Sequence, residues 1–260
     1  MATTALITGA SSGIGKELAR VHASKGGNVI LVARRETSLY ELKTELEAKH
    51  GITAHVFVAD LGSENGAERL YTAVCDAGLT VDILVNNAGF GGHGVHIDRD
   101  LTHELAMIDL NVKALVTLTH RFGGDMAARG RGKILNVGST AGFLPGPNQA
   151  TYFATKAFVN SFSQAVDHEL RSKGVTSTVL APGFVTTEFA KVADLEGTRL
   201  ANGKGATAQS VAEHGYDAML KGKLVTVNEK MLSLALTWLA PMMPRRLMLK
   251  VMSDMQKKST

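Results

Sequence analysis

The feature that most constrains this chain is an alternation. Short β-branched or aliphatic runs at 5–8, 28–33, 54–58, 83–86, 133–137, 176–181 and 223–227 alternate with longer amphipathic stretches at 14–25, 38–49, 67–77, 101–126, 152–173 and 208–220. Runs that are apolar throughout, rather than at every second residue, predict strands buried on both faces, and helical connections between them predict parallel pairing. Right-handed crossovers then give an α/β fold, a Rossmann-type doubly wound parallel sheet of about seven strands with helices on both faces. The 38–49 stretch illustrates the signals. Ser38 and Glu41 have the spacing of a capping box, Leu39, Leu42 and Leu46 fall on one helical face, and Gly51 follows as a stop.

A chain of 260 residues suits one such domain over 1–260. The least patterned stretch, 187–207, carries Gly197, Gly203 and Gly205 and reads as a mobile substrate loop, while 231–260 reads as a C-terminal tail. Composition narrows the function classes. Apolar residues make up 45% and charged residues 20%, ordinary for a globular protein. The formal charge of +4 is scattered apart from Arg34-Arg35 and Arg245-Arg246, without a basic run interleaved with aromatics, so nucleic acid is not an expected partner. The longest apolar stretch, 231–243, is too short to cross a bilayer and is broken by Pro241. With Arg245, Arg246 and Lys250 beside it, this tail allows weak peripheral membrane contact at most. The single cysteine, Cys75, excludes an internal disulfide and reads as a small buried hydrophobe; with no leader segment visible, a cytoplasmic location is expected. None of the nine histidines has a carboxylate or thiol at metal-ligand spacing, and His93 and His96 read as surface loop residues, so no metal is expected.

Chemistry enters directly after the first strand, with Thr8-Gly9-Ala-Ser11-Ser12-Gly13-Ile14-Gly15. Glycines let a backbone turn sharply beneath a pyrophosphate, and the helix that follows aims its free N–H groups and positive dipole end at the anion. The end of the second strand discriminates between dinucleotides. A carboxylate there would bind the ribose 2′-hydroxyl of NAD, whereas an arginine receives the 2′-phosphate of NADP. The sequence reads Val32-Ala33-Arg34-Arg35, which predicts NADP(H), with Arg34 the main contact and Arg35 beside it.

Tyr152 and Lys156 lie four residues apart, on one face of a helix. A tyrosine titrates near 10 when free, and a neighbouring ammonium lowers that value by stabilising the phenolate, so the pair can move a proton to or from an alcohol oxygen. Ser139, beyond the carboxyl end of the fifth strand, faces the same crevice as the Asn86-Asn87-Ala88-Gly89 segment that ends the fourth. Asn111 is a polar residue in the interior of a helix pattern, which suggests a task such as holding water.

In their order and separations these motifs resemble the short-chain dehydrogenase/reductase family: Thr8-Gly-x-x-x-Gly-x-Gly15, Asp60, Asn86-Asn-Ala-Gly89, Asn111, Ser139, Tyr152-x-x-x-Lys156 and Pro182-Gly183 with Thr187, over most of the chain. The resemblance implies roles. Tyr152 would be the acid/base, Lys156 would lower its pKa and bind the nicotinamide ribose, Ser139 would polarise the carbonyl, and Asn111 would anchor a water. Gly9, Ser11, Ser12, Gly13, Ile14 and Gly15 would hold the pyrophosphate side, and Asp60 and Leu61 would flank the adenine. Asn87, Ala88 and Gly89 would line the ribose, while Pro182, Gly183, Val185 and Thr187 would fix the nicotinamide. The implied activity is NADP(H)-dependent hydride transfer to or from a carbonyl or secondary alcohol, by a homodimer or homotetramer.

After the last strand the sequence lacks the Val-Asp-Gly-Gly ending of many family members, and its Met-rich tail is similar to that of long-chain 3-oxoacyl reductases and some hydroxysteroid dehydrogenases. That favours an apolar substrate of 3-oxoacyl, steroid-like or similar type. Met231, Leu232, Leu236, Trp238, Met248 and Met252 read as packing residues that could also line a substrate entrance. A non-catalytic NADP(H)-binding sensor or scaffold is the alternative, disfavoured because Ser139, Tyr152 and Lys156 are all present. A sugar-nucleotide epimerase is disfavoured because the chain has no room for a second domain.

Overall fold

The computed structural model describes residues 2–199 and 205–258. Seven parallel strands form its main sheet: β1 (Thr4–Thr8), β2 (Asn28–Ala33), β3 (Ala54–Val58), β4 (Ile83–Asn86), β5 (Gly132–Val137), β6 (Val175–Leu180) and β9 (Val225–Thr226), in the order β3-β2-β1-β4-β5-β6-β9. A two-stranded sheet adds β7 (Val185–Thr186) and β8 (Ala206–Thr207). The helices are α1 (Gly13–Ser24), α2 (Glu36–His50), α3 (Gly66–Asp76), α4 (Leu101–Ile108), α5 (Leu115–Ala128), α6 (Ala150–Arg171), α7 (Phe189–Val192), α8 (Ala208–Leu220), α9 (Lys230–Leu234) and α10 (Arg245–Met255).

Strand β1 shows why the sheet must be covered twice. Ala5 and Ile7 join a core with Leu18 of α1, Leu39, Leu42 and Leu46 of α2 and Val211 of α8. Leu6, between them, joins the opposite core with Leu70 and Val74 of α3 and Leu118, Phe122 and Met126 of α5. Alternate residues of a strand point to opposite faces, so a strand apolar at every position needs helices on both. Chain order reverses at β1, which pairs with β2 on one side and β4 on the other. A crevice at the carboxyl ends of the strands opens at such a switch point.

Three local expectations are corrected. Helix α2 begins at Glu36 behind Arg35, and its N-cap makes no side-chain bond, so Ser38 and Glu41 form no capping box. The chain turns into the helix directly off β2, which leaves Ser38 inside the first turn; Gly51 ends the helix with φ 65° as expected. The 101–126 pattern is not one regular helix, because a π-helical segment, Asp109–Ala114, separates α4 from α5. Cys75 is exposed, since Ala67, Leu70 and Val74 take the buried face of α3. The 187–207 stretch carries β8 and α7 and buries Ala193 and Leu195; the part of it at 200–204 lies outside the described residues.

Candidate active site

A cavity of about 770 Å³ runs along the carboxyl ends of the strands. That is ample for a dinucleotide's reactive half together with a small organic molecule. Of the residues singled out in the sequence, Gly9, Ser11, Ser12, Gly13, Ile14, Arg34, Arg35, Asp60, Leu61, Asn87, Ala88, Gly89, Ser139, Tyr152, Lys156, Pro182, Gly183, Val185 and Thr187 all line it. Gly15 and Asn111 do not line it.

The glycine turn is held from below. Thr8 Oγ1 donates to the Val85 carbonyl at 3.2 Å and accepts from the Asn87 and Ala88 amides at 2.9 and 3.0 Å. The Asn87 side chain donates to the Thr8 carbonyl at 2.9 Å, binding the ends of β1 and β4 together. Gly9 has φ +67°, and a Cβ there would stand 2.7 Å from Asn87 Nδ2. Gly15 works behind the turn: a Cβ on it would collide with the Gly9 carbonyl and the Asn87 amide, so it permits close approach of α1 to β1. The Ser12 N-cap of α1 makes no side-chain cap bond, which leaves the helix's first amides directed at the cavity end. A dinucleotide's phosphates fit this glycine-walled shelf.

The two arginines have separated. Arg35 donates through Nε and Nη2 to Ser11 Oγ (3.3 Å) and Ser11 O (3.2 Å), and pairs with Glu188 at 3.0 Å. Arg34 makes no ion pair among the described residues and is exposed at the cavity wall. It is therefore the guanidinium with donors to spare for an added anion.

On the other side of the crevice, α6 carries Tyr152 and Lys156 on one face, both into the cavity. Lys156 Nζ donates to the Val137 carbonyl at 2.8 Å and lies 5.9 Å from the centre of the Tyr152 ring. Ser139, at the N-cap of a 3-10 turn following β5, accepts from the Ala141 amide at 3.1 Å and is fixed through its carbonyl by Asn160 Nδ2 at 3.0 Å. Its hydroxyl also reaches the Tyr152 phenol.

Electrostatics here runs against the expectation that Lys156 lowers Tyr152. Burial pushes the phenol up to about 12, and the Ser139 hydrogen bond offsets only part of that. Burial also lowers Lys156 to about 8. Desolvation disfavours the charged form of each, so the resting site holds a neutral phenol, which is a proton donor, beside an ammonium that is easily discharged.

Asn111 sits in the π-helical segment and is 2% exposed. Its Oδ1 accepts from the Phe90 amide at 3.1 Å, and its Nδ2 donates to the Phe90 carbonyl at 2.9 Å and Thr155 Oγ1 at 3.2 Å. Both amide hydrogens are thus committed to structure. The wide turn aims this side chain inward, as π-bulges do at functional sites.

Several wall residues, among them Phe90, Leu144, Phe184, Phe189 and Met255, carry no advance signal in the sequence, whereas Leu232, Leu236 and Met252 belong to the tail residues that could line an entrance. Phe90, Leu144, Phe153, Phe184, Phe189 and Leu195 make the far half apolar, and Leu232, Leu236, Met252 and Met255 close it from the C-terminus. Met248 and Met252 pack on Phe153, as the packing reading of the tail expects, but Trp238 and Met231 do not pack: they are 67% and 79% exposed. His93 is no free surface residue either, since its ring bonds the Gln256 carbonyl at 2.7 Å. No cluster that could hold a metal ion occurs among the described residues.

Comparison with known proteins agrees with this geometry. The family model for short chain dehydrogenases matches residues 3–196. The chain belongs to the short-chain dehydrogenase family. Sulfoacetaldehyde reductase 2 of Chromohalobacter salexigens is 39% identical to this dehydrogenase over 194 residues, covering 74% of this chain and 76% of that one. The human very-long-chain 3-oxoacyl-CoA reductase is 35% identical over 192 residues, covering 72% of this chain but 61% of the human protein, so the match spans less than two thirds of that relative. Among solved structures, a short-chain dehydrogenase from Sphingobium yanoikuyae in complex with NADPH superposes with a TM-score of 0.84 at 28% identity, covering 99% of this chain and 98% of that one. The expected α/β architecture and oxidoreductase family are thus established, and no helix among the described residues is long and apolar enough to cross a membrane.

Proposed function

We propose that the chain is an NADPH-dependent reductase of bulky, uncharged, apolar ketones. The observation that carries this reading is the single cavity that joins the glycine shelf and Arg34 to Tyr152, Ser139 and Lys156, and continues between apolar walls. Among the described residues the cations lining it are Arg34 and Arg35 at the phosphate end and Lys156 at the catalytic centre. Beyond Lys156 the described lining residues include Glu229 and no cation, so among them a small anionic aldehyde, of the kind named for the Chromohalobacter relative, would find no counter-charge.

Pro182, Gly183, Val185, Thr187 and Lys156 line the part of the cavity that would hold the nicotinamide, which would supply the hydride. Ser139 donates a hydrogen bond to the substrate oxygen and so polarises the carbonyl. Tyr152 gives its proton to that oxygen as negative charge builds on it, which suits a phenol that burial keeps protonated. Lys156 stabilises the phenolate so formed. Asn111 contributes by clamping Phe90 and Thr155, and Thr155 Oγ1 in turn holds the Tyr152 carbonyl at 2.7 Å. Arg34 would read the 2′-phosphate of NADPH. The exposed stripe of Leu101, Leu105 and Ile108 on α4, with Phe158 on α6, gives apolar faces for a homodimer or homotetramer. An exposed free Cys75 suits a reducing, cytoplasmic compartment.

The test is NADPH consumption over a panel of carbonyl compounds. Diaryl, steroid-like or long-chain ketones should turn over at least tenfold faster, as kcat/KM, than short sulfonated or carboxylated aldehydes. The reverse ranking would overturn the substrate assignment, and no turnover with any member would overturn the reductase assignment.

A further inference from the structure

The segment after β9 is apolar on two sides, and protein covers only one of them. Leu232 and Leu236 face the cavity, and Leu236 is 6% exposed. Met231, Leu234, Trp238 and Met242, spaced by three and four residues, point away and are 79%, 55%, 67% and 74% exposed, with Leu239 at 61% between them. A helical run that is apolar all round and half uncovered is a contact surface rather than a solvated one.

Charge says what the contact is with. The stretch 231–253 contains no Asp or Glu. Arg245, Arg246 and Lys250 follow directly on the apolar run and are exposed, and the two arginines make no ion pair among the described residues. Asp254, the next carboxylate, is taken by Lys257 at 2.7 Å. A two-fold contact with a second copy would set this segment against itself, with cations near cations and no carboxylate in the stretch to neutralise them. An anionic bilayer supplies both missing partners at once: acyl chains for the apolar stripe and phosphate headgroups for the arginines. A tryptophan at the rim is at home at that boundary.

We propose that segment 231–250 docks this protein reversibly on an anionic lipid surface, with the helical run that walls the cavity lying at the interface. An apolar ketone dissolved in the bilayer then has a short route to the site. Only that last consequence rests on the reductase reading.

The test needs neither cofactor nor ketone, so its failure and the failure of the reductase reading are separate events. Trp238 is the single tryptophan of the chain, which makes intrinsic fluorescence a direct report on this surface. The protein is mixed at about 0.1 M salt with vesicles of phosphatidylcholine alone, or with roughly one third phosphatidylglycerol. The expected result is co-sedimentation and a blue shift with the anionic vesicles, both reversed by about 1 M salt, and neither with the neutral ones. Arg245→Glu with Arg246→Glu should cut the partition coefficient by about tenfold or more. Trp238→Ala with Met242→Ala should weaken sedimentation while leaving the thermal melt unchanged, which excludes misfolding as the cause. No binding to anionic vesicles would overturn the proposal. So would undiminished binding by the charge-reversed variant, or a blue shift that grows with protein concentration in the absence of lipid, the outcome if a second copy covers the surface.

Discussion

The two halves of the cavity are built by different means. The cofactor half comes from strand ends. Thr8 and Gly9 leave β1, Arg34 and Arg35 leave β2, Asp60 follows β3 and Asn87 follows β4, and parallel pairing aligns these strands residue by residue. The substrate half comes from segments with no shared ladder: the 90–99 loop, α7 and the segment around it, and the C-terminal tail. Their junctions are side-chain contacts and one isolated bridge, such as His93 to Gln256, Lys258 to Asp194 at 2.6 Å, the bridge of Thr198 with Lys258, and Met248 and Met252 on Phe153. A shared sheet makes the first half's geometry a property of the fold. The second half depends on side chains, and its shape is free to vary while the first stays fixed. Tyr152, Lys156 and Ser139 stand at the border.

Substitutions in the two halves should separate accordingly. The largest effect belongs to the border. Lys156 titrates near 8 in the folded chain, below its ordinary value of 10.5. A buried cation with a lowered pKa destabilises the native state while charged, and that penalty disappears as pH rises from the folded value to the unfolded one. The stability of the wild type relative to Lys156→Met should therefore rise by roughly 3 kcal/mol between pH 7 and pH 10.5. Denaturant midpoints of both proteins across that range check it, and a constant difference would mean that the ammonium is well solvated.

Next comes the cofactor half. Arg34→Ala should reduce the preference for NADPH over NADH by about tenfold, the worth of one charge-assisted contact at an exposed site. Ketone KM at saturating NADPH should hardly move. Dissociation constants from cofactor fluorescence measure the ratio, and a larger change for Arg35→Ala would transfer the role to Arg35. The smallest effect is in the substrate half. Lys258→Ala breaks an exposed ion pair worth under about 1 kcal/mol, so the melt should shift little. KM for bulky ketones should rise about threefold, about what the loss of such a pair allows, with the NADPH dissociation constant unchanged. A change in cofactor affinity there would erase the distinction between the halves.

The same division explains what the sequence made legible. Strands β2, β3 and β4 and helix α8 are where the apolar patterns put them, because burial on both faces leaves a continuous signal. Cofactor-side residues could be named because each stands at a fixed offset from a strand end. The spacing of Gly15 reads as a ligand contact, while its crowding against Gly9 and Asn87 shows a packing task that spacing alone cannot distinguish. The π-helical segment at Asn111 was invisible, since a widened turn leaves no periodic mark. Phe184, Phe189, Leu195 and Met255 leave no sign in the sequence that they form one wall, for their meeting depends on tertiary contacts between distant segments. The direction of the Tyr152 shift leaves no mark in the sequence for a related reason. Proximity of an ammonium can be read from a four-residue spacing, but the desolvation that outweighs it cannot.

In the proposed reaction the Tyr152 hydroxyl delivers the proton while the rest of the cavity binds. Single-turnover hydride transfer from pre-bound NADPH to a bulky ketone, wild type against Tyr152→Phe, tests it directly. NADPH affinity should be unchanged within about twofold and hydride transfer slower by about 10²- to 10⁴-fold, the usual worth of a positioned general acid. Equal transfer rates in the two proteins would contradict it.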